Sequence, residues 1–222
     1  MDPNAPPPEP ARVILVDKPL RWTSFDVVKK LRYGLKIKKI GHAGTLDPLA
    51  TGLLILCTGK MTKQIEKFQA QEKEYMGTFI IGETTPSFDL ETEVGQKKEI
   101  AHIKKTDVIK AAEQLTGVID QVPPIFSAVK IDGKRAYKSA RKGEEVELKS
   151  RKVEITAFDI NRFENNEVDF RIVCSKGTYI RSIARDFGGI LETGAYLASL
   201  RRTRIGEFLV ENAQTIEQVI ST

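Results

Sequence analysis

Residues 41–52 combine a histidine and an aspartate with three glycines in one short segment, GHAGTLDPLATG. Glycines let a backbone adopt positive φ angles or approach a ligand closely, so this segment could form a binding loop. It is not a phosphate-binding P-loop, because the glycines that follow are too widely spaced and Met61 stands where a hydroxyl should coordinate magnesium. Considered alone, Asp47 before Pro48 is most simply a cap or an Asx-turn residue.

A second segment, SKGTYIRS at residues 175–182, places an aromatic ring and a guanidinium two residues apart. If the segment is the end of a strand, alternation directs Tyr179 and Arg181 to the same face. The ring could then support a base while the cation holds a carboxylate. The alternative is a strand-edge tyrosine beside a solvated arginine, and the segment alone favours that alternative.

Two further segments contain residues that could act on an aromatic or anionic ligand. Tyr75 follows Lys73 and Glu74 on one face of a predicted strand, where a tyrosine is more often a core residue than a catalyst. The cluster LRRTR at residues 200–204 contains three arginines. Such a cluster is either a solvated basic face or a set of phosphate contacts.

Apolar patterns predict the elements that position these segments. The early elements are a strand at 12–16, a helix from Thr23 or Ser24 to about Leu35, a buried strand at 53–57 and a strand at 75–81. The later ones are a helix capped by Thr106 or Asp107, strands at 153–163 and 168–181, a helix from Ser182 to Ile190, a strand around 205–210 and a helix from about Thr215. Residues 84–105 are polar and irregular, and we expect a mobile loop there. The order predicts an α+β fold whose mixed, largely antiparallel central sheet is flanked by helices and loops.

The composition excludes several classes of protein. The chain has 222 residues, a net charge of +5, 41% hydrophobic and 29% charged residues, which is typical of a globular protein and compatible with a polyanionic partner. Cys57 and Cys174 lie far apart in apolar runs, which argues against a disulfide framework or a zinc site and favours a reducing compartment. The only histidines are His42 and His102, so a histidine-rich metal site is excluded. No apolar run reaches the roughly 20 residues that span a membrane.

Taken together, these segments resemble the motifs of the TruB family of tRNA pseudouridine synthases. Residues 41–52 match the family signature almost letter for letter. The other matches, in chain order, are the first motif at 17–24, the second-motif tyrosine at 73–75, the central substrate-side segment at 124–137, and the third motif at 175–188 with 200–202. The resemblance extends from about Val13 to the C-terminus, and five motifs in register argue strongly against a chance match.

The resemblance implies that the chain isomerises a uridine in the T-loop of tRNA, at position 55, after flipping the base out of its stack. Such a reaction breaks a C–N glycosidic bond and forms a C–C bond at the same sugar carbon without redox change, so neither a cofactor nor a metal is expected. The resemblance assigns the nucleophile to Asp47 and its ion-pair partner to Arg181. It also implies that Tyr75 stacks on the base and moves a proton, and that Tyr179 forms an apolar floor. A direct attack on the sugar and a glycal route both remain open.

The resemblance further implies a set of RNA contacts. His42 is expected to fill the place that the flipped base vacates, and Gly44 lies in the same signature loop. Contacts with the RNA backbone are expected from Lys18, Leu200, Arg201, Arg202 and the basic helix near Lys29.

Three features depart from the family pattern. Residues 20–22 replace a glycine that is usual in the first motif, Tyr196 stands where a histidine is common, and the chain ends at Thr222 without room for the RNA-binding PUA domain of many relatives. We expect a proline-rich disordered tail at residues 1–11 and one catalytic domain at 12–222, in a cytoplasmic monomer whose partner is the T-arm of tRNA. The alternatives are a synthase for other RNAs, a guide-RNA-dependent catalytic subunit, and a non-catalytic RNA-binding or RNA-folding protein.

Overall fold

The computed structural model of this chain describes residues 10–125, 130–131, 134–135 and 148–221. The chain forms two compact units, unit 1 with residues 1–74 and 201–222, and unit 2 with residues 75–200. Most of the tail expected at 1–11, and the part of the central segment from residue 126 to residue 147 apart from four strand positions, lie outside the described residues.

The elements follow one another in an α+β order. In chain order they are β1 (Val13–Lys18), α1 (Ser24–Gly34), β2 (Ile40–His42), β3 (Ala50–Thr58), a 3-10 helix (Gly59–Gln64), α2 (Ile65–Ala70), β4 (Lys73–Ile81), α3 (Lys105–Gln114), β5 (Gly117–Gln121), β6 (Lys130–Ile131), β7 (Lys134–Arg135), β8 (Arg151–Glu164), β9 (Glu167–Cys174), α4 (Ile180–Ile190), β10 (Ala195–Ile205), β11 (Phe208–Leu209), a 3-10 helix (Val210–Asn212) and α5 (Ile216–Ser221). The predicted fold class, a mixed sheet flanked by helices, is confirmed.

Strand β3 is the centre of unit 1, with β1 on one side and β10 on the other. It pairs antiparallel with β1 from Val13 opposite Cys57 to Lys18 opposite Gly52. Its side chains alternate between two apolar clusters. Leu54 and Leu56 pack with residues of α1 and α5. On the other face, Leu53, Ile55 and Cys57 pack with Phe68 and Ile205. Both faces of β3 are therefore covered, which explains why its sequence is a continuous apolar run.

Helix α1 begins as the sequence predicts, with Thr23 as N-cap and Asp26 completing a capping box. Its apolar stripe, Val27, Val28 and Leu31, is buried against unit 1. This leaves the polar face of the helix, rich in lysine, exposed to solvent.

Unit 2 contains a long antiparallel hairpin, β8 and β9, whose turn lies at residues 165–166 as predicted. Its sheet continues in the order β10, β4, β9, β8, β5. An aromatic core of four phenylalanines, with ring centroids 4.2 to 6.3 Å apart, packs α4 against this sheet. These rings belong to Phe79, Phe158, Phe170 and Phe187.

Three predicted boundaries are wrong. The strand predicted at 168–181 ends at Cys174, and Ser182 lies inside α4 rather than at its cap, because the helix already begins at Ile180. The helix predicted from Thr106 or Asp107 begins at Lys105, where Asp107 accepts the backbone N–H of Lys104 at 2.9 Å.

The strand predicted around 205–210 is instead a turn between two strands. Strand β10 ends at Ile205, which pairs with Phe208 of β11. Residues 84–105 form no long element before Lys105, in agreement with the prediction of an irregular segment. However, Thr85, Ser87 and Asp89 within it are buried, which an entirely solvated loop would not show.

A glycine pair provides a test of the packing around β3. Gly52 and Gly117 have φ angles of +100° and +96°, so an alanine is strained at either position. A Cβ at Gly52 would lie 2.3 Å from the Arg202 carbonyl oxygen, whereas nothing lies within 4 Å of a Cβ at Gly117. We expect Gly117→Ala to lower the free energy of unfolding by about 1–3 kcal/mol, and Gly52→Ala to lower it by a further ~2 kcal/mol through overpacking. Urea unfolding of both variants measures the difference, and equal losses would contradict the crowding at Gly52.

Candidate active site

The loop that contains Asp47 connects β2 to β3 and is anchored to the start of α1. The Leu46 N–H donates to the Ser24 hydroxyl at 2.9 Å, and that hydroxyl donates back to the Leu46 carbonyl at 3.2 Å. Both Ser24 and Leu46 are buried. Asp47 itself is half-buried, and its carbonyl accepts the Ala50 N–H at 3.1 Å in a tight turn. Leu46, the residue before Asp47, is thus held at both its backbone N–H and its carbonyl group.

A buried guanidinium holds the same loop from β10. Arg202 is only 1% exposed. Its Nε donates to the Leu53 carbonyl at 2.8 Å, its Nη2 to the Gly44 carbonyl at 3.2 Å and its Nη1 to the Thr45 carbonyl at 3.4 Å. In this structure the Arg202 cation is occupied by the loop carbonyls and shielded from solvent, and the RNA contact expected of it stays a prediction.

Lys18 lies at the end of β1 and is also fully buried, with 0% exposure. Its ammonium donates to the Trp22 carbonyl at 2.6 Å and to the Pro19 carbonyl at 3.0 Å. Burial lowers the pKa of Lys18 to about 8, although the negative charge of Asp47 opposes that shift. The contact between Lys18 and the RNA backbone that the sequence predicted stays a prediction.

His42 and Arg201 are the two other predicted contacts in unit 1. Burial lowers the pKa of His42, and a backbone hydrogen bond with Gly44 partly opposes that shift, so the imidazole is neutral at pH 7. Arg201 forms a two-point ion pair with Asp17, with distances of 3.0 and 2.7 Å. The LRRTR cluster is thus not a solvated basic face, since its arginines are engaged within unit 1.

In unit 2, Arg181 lies in the first turn of α4 and is buried at 4% exposure. Its Nε lies 3.6 Å from the Asp89 carboxylate, and its Nη1 donates to the Ser87 carbonyl at 3.5 Å. The sequence did not identify Asp89, because it lies in a polar segment that resembles an exposed loop. The predicted ion pair between Asp47 and Arg181 stays a prediction.

Tyr179, the residue before α4, is held through its backbone by Gln121 at the end of β5. The Gln121 side chain accepts the Tyr179 N–H at 2.8 Å and donates to the Tyr179 carbonyl at 3.1 Å. The guanidinium of Arg151 lies over the Tyr179 ring, 4.7 Å from its centroid. Gln121 is a functional candidate that the sequence analysis missed, since only the three-dimensional pairing reveals it.

The two remaining predicted residues lie on neighbouring strands. Tyr75 is buried on β4, and Leu200 is half-buried on β10. Alternation along β4 places Tyr75, Phe79 and Ile81 on its buried face, as the sequence predicted.

The candidate site in unit 1 has no group of three acidic, cysteine or histidine residues arranged to hold a metal, and the same is true throughout the described ranges. The side chains of Cys57 and Cys174 are buried, as predicted for core thiols. Among the helices described, none is long and apolar enough to cross a membrane.

The lowered pKa of Lys18 predicts how the free energy of unfolding depends on pH. The folded pKa of about 8 is below the ordinary 10.5, so between these values the unfolded chain binds more protons and stability rises with pH. We expect the free energy of unfolding of the wild type, relative to Lys18→Met, to increase by up to about 3 kcal/mol between pH 8 and pH 10.5. Urea unfolding of both proteins across this range measures the change, and a pH-independent difference would refute it.

Comparisons with known proteins assign the chain to a family. Residues 32–180 match the TruB family pseudouridylate synthase (N terminal domain). A tRNA pseudouridine synthase B of Flavobacterium johnsoniae is 56% identical over 209 residues, which is 91% of each chain. One of Phocaeicola vulgatus is 52% identical over 211 residues, covering 92% of this chain and 90% of that protein.

Solved structures support the same family assignment. A chain in a Cbf5-Nop10-Gar1 complex superposes with a TM-score of 0.72 and 28% identity, over 94% of this chain and 53% of that chain. A chain in the archaeal box H/ACA sRNP Nop10-Cbf5 complex gives a TM-score of 0.70 with 25% identity, over 94% of this chain and 52% of that chain. The chain spans about half the length of these solved chains and about nine-tenths of the length of the two curated relatives. The family identified from the sequence motifs is confirmed, and the chain belongs to the TruB family of pseudouridylate synthases.

Proposed function

We propose that this chain isomerises a uridine in the T-loop of tRNA, at position 55, to pseudouridine, with Asp47 as nucleophile. The observation that carries the proposal is the double anchoring of the Asp47 loop, by the Ser24 hydroxyl and by the Arg202 guanidinium. A reaction at a sugar carbon requires one carboxylate at a fixed place, and this loop presents one. The relatives that are named tRNA pseudouridine synthase B support tRNA as the substrate.

The isomerisation requires a carboxylate and no electron carrier. The C–N glycosidic bond breaks with its electron pair leaving on the base, and the sugar carbon develops oxocarbenium character. The Asp47 carboxylate either attacks that carbon or assists removal of a neighbouring proton. After the base turns, its C5 forms the new bond to the same sugar carbon. In the first route the Asp47 carboxylate leaves that carbon, and in the second the removed proton returns to the sugar; the base loses its C5 proton and gains one at N1.

Three side chains of unit 2 are proposed to serve the base and the carboxylate. Arg181, a buried cation, would hold the Asp47 carboxylate ionised through its two-pronged guanidinium. Tyr75 would stack on the uracil ring and move the C5 proton. Tyr179 would form the floor below the base, since its backbone is fixed by Gln121 at two points.

The remaining predicted residues are proposed to accommodate the RNA. Extrusion of a base costs a few kcal/mol, and a neutral His42 ring could occupy the vacated place without a charge among the stacked bases. Gly44, Leu200 and Arg201 are proposed contacts with the substrate. Lys18 and Arg202 are also proposed RNA contacts, and the buried Arg202 cation in addition holds the Asp47 loop.

We also propose that the enzyme works as a monomer in the cytoplasm, with the T-arm of tRNA as the segment it recognises. Two buried thiols suit a reducing compartment.

Replacement of Asp47 tests the proposal. Asp47→Asn keeps the shape of the side chain but removes the nucleophile, so we expect turnover to be lost while the affinity for unmodified tRNA changes by no more than a few-fold. Release of tritium from C5-labelled uridine in a tRNA transcript measures turnover, and filter binding measures affinity.

A matched control is Asp120→Asn, which makes the same chemical change at an exposed position of β5. It should retain wild-type turnover. Near wild-type turnover by Asp47→Asn would refute the nucleophile. If the wild type binds the transcript without releasing tritium, a non-catalytic RNA-binding protein is favoured; release that persists when uridine 55 is changed to cytidine points to another target.

A further inference from the structure

Positive charge in this chain is concentrated in two short segments of the sequence, residues 21–39 and residues 130–142. Residues 21–39 contain seven lysines or arginines and one aspartate, a net charge of +6, whereas the whole chain has a net charge of +5. The remainder of the chain is therefore slightly acidic. Residues 21–39, which contain α1, can therefore attract a polyanion that approaches the protein.

The one acid in this segment, Asp26, forms the cap of α1, and the hydrogen bonds from Thr23 and, to a smaller extent, the charge of Lys29 lower its pKa. The Asp26 carboxylate accepts the Thr23 N–H at 2.9 Å and the Thr23 hydroxyl at 2.6 Å, completing the cap of α1. In the part of the chain that the structure describes, no carboxylate lies within ion-pair distance of Lys29 or Lys30. Both lysines are exposed.

Beside these lysines is an open groove of about 520 Å³. It is lined by Arg21, Trp22, Asp26, Lys29, Lys30 and Tyr33, which we call the α1 groove. Tyr33 is 71% exposed, so its ring is accessible to a ligand in the groove. Trp22 is held in place, because its carbonyl accepts the Lys18 ammonium and its ring packs against the core of unit 1.

Cations interleaved with aromatic rings are the features that bind unstacked nucleotides, since the cations contact phosphates and the rings stack on bases. The groove is also connected to the reaction centre. Ser24, which anchors the Asp47 loop, is the first residue of α1, and Tyr33 follows it nine residues later, about 14 Å along the helix axis. A nucleic-acid strand covers that distance in about four nucleotides at roughly 3.4 Å each.

We propose that the α1 groove is an RNA-docking site, in which Lys29 and Lys30 contact phosphates of the substrate RNA and one unstacked base lies against Trp22 and Tyr33. The inference rests on the proposed function for the identity of the RNA, but the groove acts in binding and not in the chemical step.

The test measures the affinity of an unmodified tRNA transcript as a function of salt, with every protein also carrying Asp47→Asn so that the RNA is not modified. Lys29→Gln/Lys30→Gln should weaken binding about tenfold or more at 100 mM NaCl and should reduce the slope of log K against log salt by about 1.4–1.8, the value for two lost phosphate contacts. The control Lys104→Gln/Lys105→Gln removes the same charge from two exposed lysines at the start of α3 and should change both quantities much less.

Tyr33→Ala tests the proposed contact between an unstacked base and the groove. It should weaken RNA binding about tenfold without a change of salt slope, and should leave binding of heparin, a polyanion without bases, at the wild-type level. Urea unfolding checks that the variants are as stable as their parent, as expected for exposed side chains.

The inference is overturned if Lys29→Gln/Lys30→Gln loses no more RNA affinity than its control. It is also overturned if that variant binds RNA with normal affinity and loses affinity only for polyglutamate, a polyanion that mimics an acidic protein segment. That result would identify the groove as a site for such a segment. Failure of the proposed function is a separate result, because it is read from tritium release by the protein with Asp47 intact.

Discussion

The structure of unit 1 depends on a charge that is hidden from water. The Arg202 guanidinium, buried in β10, donates to carbonyl groups on both sides of the Asp47 turn, at Gly44, Thr45 and Leu53. Burial of a cation is costly, and hydrogen bonds to several carbonyl dipoles offset that cost only if the carbonyls are held in place. The arginine and the loop therefore order each other. Gly52 makes this approach possible, since a side chain there would collide with the Arg202 backbone.

A second buried cation extends the same arrangement. Lys18 fixes the carbonyls that precede α1, and Ser24 connects the start of α1 to Leu46. Ser24 and Arg202, from α1 and β10, thus hold the segment around one carboxylate, and Lys18 holds the segment before α1. The buried cations of Lys18 and Arg202 therefore stabilise the protein itself, whereas Lys29 and Lys30 of α1 are exposed to solvent.

Much of this could be predicted from the sequence, and the failures have specific causes. The strands around β3 and the start of α1 were predictable because local patterns determine them: a continuous apolar run, and a threonine cap followed by an acid three residues later. The start of α4 was missed because the alternation of Thr178, Tyr179 and Ile180 resembles a strand. The helical spacing of Ile180, Ile183, Ala184 and Phe187, all buried, was present in the sequence and indicates the observed helix. The burial of Arg202 and Asp89 was not predictable, because charged residues are usually exposed and only their distant partners reveal otherwise.

Unit 1 is assembled from segments at opposite ends of the described chain, and this has a consequence for its biosynthesis. Residues 10–74 leave the ribosome long before residues 201–221, which supply Arg202 and helix α5. Until then the turn around Asp47 lacks its guanidinium, and the α1 stripe lacks the residues of α5 that cover it. In the nascent protein the basic segment at residues 21–39 is therefore synthesised long before the turn around Asp47 acquires the guanidinium that anchors it.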